Sequence, residues 1–352
     1  MSESPPLDAP RRVCVLGAGQ MGLVCAAILT DADRIGPPIE RVTVWSHSTE
    51  EAGTLTQTRR SDRLEGFTLP PDVRVGVTDE DALGEADLIV SAVPVQHLRS
   101  AWSRLRLHVP ARAGVVSVSK GIENGTLMRP TQTIADCLAD DPDAAPRPLA
   151  AMSGPTIAAE LARCLPATIV AASDQPGFAD ALQQVFTTRW LRIYTNPDVL
   201  GVELAGATKN VIAIAAGILD GLSAGFNAKS ALLARGLAEI ARLGEAMGAA
   251  KDTFSGVAGV GDLATTCFSP EGRNRSCGEA LGRGEKLEDY LAASRHVVEG
   301  VATTRSVMDL ARQYRVEMPI TAAVHEVLFE GLDPLRAIGK LMSREPKSEN
   351  VG

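Results

Sequence analysis

The sequence predicts an α/β protein in which an N-terminal, doubly wound, mostly parallel sheet is followed by a C-terminal all-α domain. Three observations predict it. Short β-branched runs alternate with helical patterns through the first half of the chain. A glycine turn joins the first such run to the first helical pattern. Beyond Tyr194-Thr195-Asn196-Pro197-Asp198, strand-like runs disappear and long stretches rich in Ala, Leu and Gly take over. At 352 residues the chain exceeds one ordinary domain. The expected organisation is a disordered lead-in over 1–10, a first domain over 11–197 and an all-α second domain over 198–345.

Strands are expected in order at 13–16, 42–45, 73–77, 88–93, 115–118 and 168–172, each a short run rich in Val, Ile, Leu or Ala. The Pro- and Asp-rich segment 140–148 reads as a loop between such units. In the second half the apolar periodicity predicts long helices over 202–219 and 228–247. Shorter ones follow Arg273, Lys286, Thr303, Pro319 and Pro334. No internal repeat suggests a solenoid.

A net charge of -8 with no basic block argues against nucleic acid and acidic membranes as partners. An anionic ligand would have to meet positive groups in a confined site. The six cysteines, Cys14, Cys25, Cys137, Cys164, Cys267 and Cys277, form no C-x-x-C pair and no compact framework, so a reducing cytoplasm fits. The first ten residues carry prolines and acids where a signal peptide would carry a basic start and an apolar run. The longest apolar stretch, 211–219, is about half a membrane span, so none is expected.

Val13-Cys14-Val15-Leu16 runs into Gly17-Ala18-Gly19-Gln20-Met21-Gly22 and then into a helical pattern. In a Rossmann-like unit the first glycine permits the tight turn and the second lets a pyrophosphate approach the backbone. The third lets helix pack on strand, and the helix N-terminus faces the phosphates. Gly17, Gly19, Gln20, Met21 and Gly22 are therefore candidate dinucleotide contacts. An NAD-specific site usually has Asp or Glu at the end of the second strand, where this chain reads Trp45-Ser46-His47-Ser48. With no carboxylate there, and with His47 and Arg59 or Arg60 nearby, the cofactor is NAD or NADP with NADP favoured. His47 reads equally as a solvated loop residue.

Lys209 interrupts an apolar helical stretch. It either snorkels to solvent or points into a cleft, where desolvation would lower its pKa toward general acid/base duty. Reducing a carbonyl needs such a group, because the oxygen gains a proton as the carbon gains hydride. Lys120-Gly121-Ile122-Glu123 follows the strand at 115–118, at the carboxyl end of the sheet where open α/β folds bind ligands. The alternative is a surface turn carrying a charge pair. Ser153-Gly154-Pro155-Thr156 precedes a helix that Thr156 could cap, leaving amides to face an anion. Arg273-Asn274-Arg275 follows the Gly-rich Gly259-Val260-Gly261-Asp262, and a guanidinium beside an amide suits phosphate. His325-Glu326 lacks the second histidine a zinc helix requires, so no metal is expected.

Together the stretches 17–22, 92–94, 120–123, 153–160, 201–221, 227–236, 259–267, 273–275 and 298–300 resemble the bacterial NAD(P)-dependent glycerol-3-phosphate dehydrogenase family, over residues 12 to about 342. The resemblance implies an oxidoreductase that interconverts dihydroxyacetone phosphate and sn-glycerol 3-phosphate for phospholipid synthesis. It implies Lys209 as proton donor and acceptor, and Lys120 in touch with cofactor and substrate. By the same likeness Gly154, Thr156, Asp262, Arg273 and Asn274 match substrate positions. Ala158, Val297 and Glu299, with Arg273 shared, match cofactor positions. Three departures stand out: Gln20-Met21 where Ser-Trp is frequent, Ser48 where a second basic residue often stands, and Gly272 where Ser is usual. The rival readings are a related dehydrogenase of the 6-phosphogluconate or ketopantoate type, and a non-catalytic dinucleotide sensor. A small phosphorylated substrate is the expected partner, and a homodimer is the base-rate expectation.

Overall fold

The structure is a computed structural model that describes residues 10–140, 146–294, 297–345 and 348. The expected lead-in before Pro10, and 141–145 of the expected loop, lie outside the described residues. The chain divides into two compact units, 1–119 with 130–199, and 120–129 with 200–352.

In the first unit one sheet holds β1 (Arg12–Leu16), β2 (Arg41–Trp45), β3 (Val73–Val75), β4 (Leu88–Ser91), β5 (Gly114–Ser117), β6 (Leu149–Ser153), β7 (Ala167–Ala172) and β8 (Leu191–Asn196). Its order is β3-β2-β1-β4-β5-β6-β7-β8. Every neighbouring pair is parallel except β6 and β7. The helices of this unit are α1 (Gln20–Leu29), α2 (Thr49–Thr58), α3 (Asp79–Leu83), α4 (Val95–Leu105), α5 (Pro130–Leu138), α6 (Ala158–Leu161) and α7 (Phe178–Phe186). Because β1 is covered on both faces, Val13 to Leu16 are apolar without alternation. Val13 and Val15 pack with Leu23 and Ile28 of α1 and Leu182 of α7. Cys14 and Leu16 pack with Leu98 and Trp102 of α4 and Ile134 of α5. The doubly wound, mostly parallel sheet is as expected.

Two strands were not foreseen. Leu149–Ser153 is not among the strands expected above. Leu191–Asn196 is the sheet edge, where Arg192 and Tyr194 point to solvent and dilute the apolar signal. Expected strands 73–77 and 88–93 end earlier, at Val75 and Ser91.

The second unit is helical: α8 (Val199–Gly221), α9 (Gly225–Met247), α10 (Lys251–Ser255), α11 (Asp262–Phe268), α12 (Arg273–Gly282), α13 (Leu287–Ala293), α14 (Glu299–Tyr314), α15 (Pro319–Phe329) and α16 (Pro334–Met342). Its core gathers Ile212 and Ile214 of α8, Leu243 of α9, Phe254 of α10, Cys277 of α12 and Leu310 of α14. Helix α8 is longer than the apolar run suggested. It is long and apolar enough to cross a membrane, yet 94% of its apolar window is buried within the protein, as in a core helix. The segment 120–129, expected within the first domain, groups instead with this unit. Ser306 Oγ donates to the Ile122 carbonyl at 3.1 Å, and Arg129 pairs with the buried Glu203.

Candidate functional site

The glycine turn of the first unit has the geometry its sequence implies. Gly17 has φ +112°, and a Cβ there would lie 2.9 Å from the Ala92 carbonyl oxygen, so only glycine fits. A Cβ on Gly22 would lie 1.9 Å from the Gly17 carbonyl oxygen, which is the close helix–strand approach. Gly19 differs: a Cβ there would meet no protein atom within 4 Å. That open side is where a dinucleotide phosphate would need room. The residue is also the N-cap of α1, and no side chain caps the helix, so its first amides keep their positive pole for an anion. The residues present therefore fit a dinucleotide. Gln20 turns its amide to the Arg63 carbonyl at 2.7 Å, and Met21 packs against the core around α1.

The end of β2 corrects one expectation. No carboxylate stands there in sequence, but Glu51 folds back to it. Ser48 caps α2 by accepting from the Glu51 amide at 3.2 Å, which returns the Glu51 side chain to the Ser46 hydroxyl at the strand's end. The other Glu51 oxygen takes Arg63 Nε at 2.7 Å. His47 is exposed. Arg59 spends its guanidinium on the Leu69, Pro70 and Val73 carbonyls, which removes it as a cofactor cation. Arg60 is exposed.

At the end of β6, Gly154 has a positive φ, and Ser153 Oγ is buried without a hydrogen-bond partner among the described residues. Thr156 does not cap the helix that follows. Its hydroxyl donates to the Gly154 carbonyl at 3.1 Å, and Ile157 is the N-cap of α6, whose first residue is Ala158. A two-residue return to Gly154 outcompetes the cap because α6 starts later than its sequence suggested.

The second unit carries a cluster of charged side chains. Lys209 lies mid-way along α8, the buried central helix, so it cannot reach solvent: the residue is 6% exposed. Its Nζ donates to Asp262 Oδ1 at 2.5 Å and to Thr266 Oγ1 at 2.6 Å. Lys120 Nζ donates to the other oxygen, Asp262 Oδ2, at 2.7 Å. Thr266 in turn donates to the Asp262 carbonyl at 2.7 Å, which aims its lone pairs at Lys209. Asp262 is delivered by the Gly-rich segment. Val257–Gly261 forms a π-helical turn in which a Cβ on Gly259 would overlap the Phe254 carbonyl.

Burial pushes the Lys209 amine down to about 8; Asp262 pulls it up and Lys120 pushes it down again. Two ammonium groups sharing one carboxylate leave net positive charge in a site shielded from water. Such a cluster attracts an anion and can release a proton near neutral pH. Beside it Asn274 Oδ1 accepts from the Gly300 amide at 2.8 Å, and Asn210 Nδ2 donates to Glu299 Oε2 at 3.4 Å. Arg273, first residue of α12, is exposed, and its side chain has no hydrogen bond or ion pair among the described residues. Helix α12 has Gly272 as N-cap and no side-chain cap. Val297 is also exposed.

Sequence reasoning thus named Lys120, Lys209, Asp262, Arg273 and Asn274, all of them in this second unit. It missed Thr266, Asn210 and Glu51. Thr266 was within reach, since it stands four residues after Asp262 and so shares a helix face with it.

Two family models match this chain: the NAD-dependent glycerol-3-phosphate dehydrogenase N-terminus over residues 12–179, and the C-terminus of the same family over residues 198–339. Glycerol-3-phosphate dehydrogenase (NAD(P)+) 2 of Mycobacterium bovis is 45% identical over 338 residues, covering 96% of this chain and 98% of that protein. Glycerol-3-phosphate dehydrogenase (NAD(P)+) 1 of Salinibacter ruber is 43% identical, covering 96% of this chain and 97% of that one. Among solved structures, the glycerol-3-phosphate dehydrogenase of Coxiella burnetii matches with a TM-score of 0.88 at 32% identity, over 95% of this chain and 99% of that one.

Proposed function

The chain belongs to the NAD-dependent glycerol-3-phosphate dehydrogenase family and is an oxidoreductase that uses NAD or NADP to interconvert dihydroxyacetone phosphate and sn-glycerol 3-phosphate, and from that premise we propose which of its residues do the work. Lys209 is the proton donor and acceptor. The observation that carries this is the buried Lys209–Asp262–Lys120 triad, in which one lysine is pushed down to about 8.

When bound, the nicotinamide supplies or takes the hydride at the substrate's C2 carbon. Everything else falls to the chain. The Lys209 ammonium gives its proton to the C2 oxygen as negative charge develops there, and the neutral amine takes it back in the oxidation direction. Asp262 keeps Lys209 and Lys120 together, and Thr266 fixes the direction of the Lys209 amine. Lys120 offsets the developing charge. Arg273, with the uncapped start of α12 and Asn274, holds the phosphate, and Gly154 and Thr156 complete the substrate set. Gly17, Gly19, Gln20, Met21 and Gly22 receive the dinucleotide, with His47, Ala158, Lys120, Arg273, Val297 and Glu299 as its further contacts.

The Glu51 carboxylate at the end of β2 weakens the case for NADP drawn from sequence, because it stands where a 2′-hydroxyl is usually bound. Six free cysteines support work in the cytoplasm, where the product would feed glycerophospholipid synthesis. A homodimer remains the base-rate assembly, to be read by light scattering.

The direct test is the loss of NADPH or NADH absorbance on adding dihydroxyacetone phosphate. Lys209→Ala should lose at least about a hundredfold in rate. Unchanged turnover in that variant would remove Lys209 from its role.

A further inference from the structure

The loop between α11 and α12 connects Asp262 and Thr266 on one side to Arg273 and Asn274 on the other. It is held by a charge cluster outside the site described above. Asp220 stands one residue before the end of α8 and accepts from Lys229 Nζ with both oxygens, at 2.8 and 2.7 Å. Its Oδ2 also takes Arg275 Nη1 at 2.5 Å. A carboxylate at a helix C-terminus faces the negative pole of the dipole, and these cations offset that repulsion. The cations in turn grip the loop at consecutive residues. Lys229 Nζ lies 4.9 Å from the centre of the Phe268 ring, and Arg275 Nε donates to the Ser269 carbonyl at 2.9 Å. Lys229 and Arg275 are mostly buried, and Glu279 completes the cluster 3.2 Å from Arg275.

Arg273, by contrast, has no side-chain anchor among the described residues. The region its guanidinium can reach is set by where its backbone lies. Two residues further on, the Arg275 side chain is locked to Asp220, and just before it Gly272 packs so closely that a Cβ would lie 3.2 Å from the Thr266 carbonyl oxygen. We infer that Asp220 is a positioning residue for recognition of the substrate phosphate: through Arg275 and Lys229 it fixes the 268–272 loop, and the loop sets the place of Arg273. This rests on the reading of Arg273 as the phosphate's partner.

Asp220→Asn keeps the size and removes the charge. It should raise KM for dihydroxyacetone phosphate at least about tenfold and raise the inhibition constant of inorganic phosphate by a similar factor, with KM for NAD(P)H within about twofold. Asp220→Glu should recover most of the loss. A KM for dihydroxyacetone phosphate within twofold of the parent overturns the inference, as does an equal rise in KM for the dinucleotide, which would mark a general structural defect. If Asp220→Asn shows no cooperative melting transition, Arg275→Lys decides instead. It retains a cation for Asp220 but gives up the bond to Ser269, and it must raise both phosphate-dependent constants at least about fivefold. Arg273→Ala, measured alongside, separates the claims. No rise there removes the reading of Arg273, whereas a rise there without one in Asp220→Asn removes only the role of Asp220.

Discussion

Lys209 Nζ donates to Asp262 Oδ1 at 2.5 Å, in a place where the two side chains are 8% and 1% exposed. Burial alone would drive the lysine to neutrality, and the carboxylate alone would keep it charged. With Lys120 sharing that carboxylate, the balance leaves the amine at about 8. Reduction of the carbonyl needs the ammonium, which is populated below that value, and oxidation of the alcohol needs the amine. The rate of reduction at low substrate should therefore fall as pH rises through about 8, while the rate of oxidation rises through the same point. Asp262→Asn removes the one group that raises the lysine and leaves Lys120 unopposed. Its reduction profile should break at lower pH, and initial rates against pH would show it. A break that moves upward would contradict this account of the cluster.

The glycine turn yields a pair of substitutions with opposite signatures. Gly19 has backbone angles any residue adopts, and a Cβ there meets no protein atom. Gly19→Ala should keep the melting temperature within a degree or two, yet raise KM for the dinucleotide by about a hundredfold, because the methyl occupies the phosphate's approach. Gly22→Ala drives its methyl into the Gly17 carbonyl and should lower the melting temperature as well. Calorimetry with cofactor titration distinguishes them. A Gly19→Ala protein that binds the dinucleotide normally would mean the phosphates lie elsewhere.

What the sequence could say about these sites follows from how local their determinants are. Gly17, Gly19 and Gly22 were legible because strand, turn and helix are contiguous. Lys209 was legible as an anomaly, a charge within an apolar helix, but its bonds to Asp262 and Thr266, 53 and 57 residues away, were not. The segment 120–129 looked like a loop of the sheet it follows, and only the tertiary bonds from Ser306 and Glu203 draw it into the helical unit. Strand β8 escaped notice because an edge strand alternates polar and apolar residues over six positions, too short to stand out. Glu51 escaped because a capped helix turns its side chain back five residues, a return that strand-end rules do not anticipate.

Glu51 is the point on which cofactor choice should turn. One oxygen accepts from Ser46 at the end of β2 and the other from Arg63. A carboxylate near the adenosine ribose disfavours a 2′-phosphate, and its removal also frees the Arg63 guanidinium. Glu51→Gln should lower KM for NADPH relative to NADH by about tenfold in ratio. Steady-state kinetics with both dinucleotides read this directly. An unchanged ratio would show that Glu51 serves only to cap and brace α2.

Stability has its own pH lever in Glu239. This residue of α9 is 2% exposed, and it accepts from the Ile320 amide at 2.7 Å and the Thr321 amide at 3.2 Å. Helix α15 begins with Pro319 and has no side-chain cap of its own, so a carboxyl from another helix satisfies its first amides. Burial outweighs those bonds and raises the group from its ordinary 4.5 to about 7. The folded protein then binds this proton more tightly than the unfolded chain does. The contribution is complete below about 4.5 and is lost as pH rises to about 7. Glu239→Gln has no proton to lose, so the difference in unfolding free energy between it and the parent should shift in favour of the variant as pH rises across that window. Glu239→Ala leaves two helix amides buried without acceptors and should cost about 2–4 kcal/mol at low pH, a cost that shrinks as pH rises across that window. Urea denaturation of the three proteins at several pH values tests both statements, and a parent–Gln difference independent of pH would mean that Glu239 stays ionised in the fold.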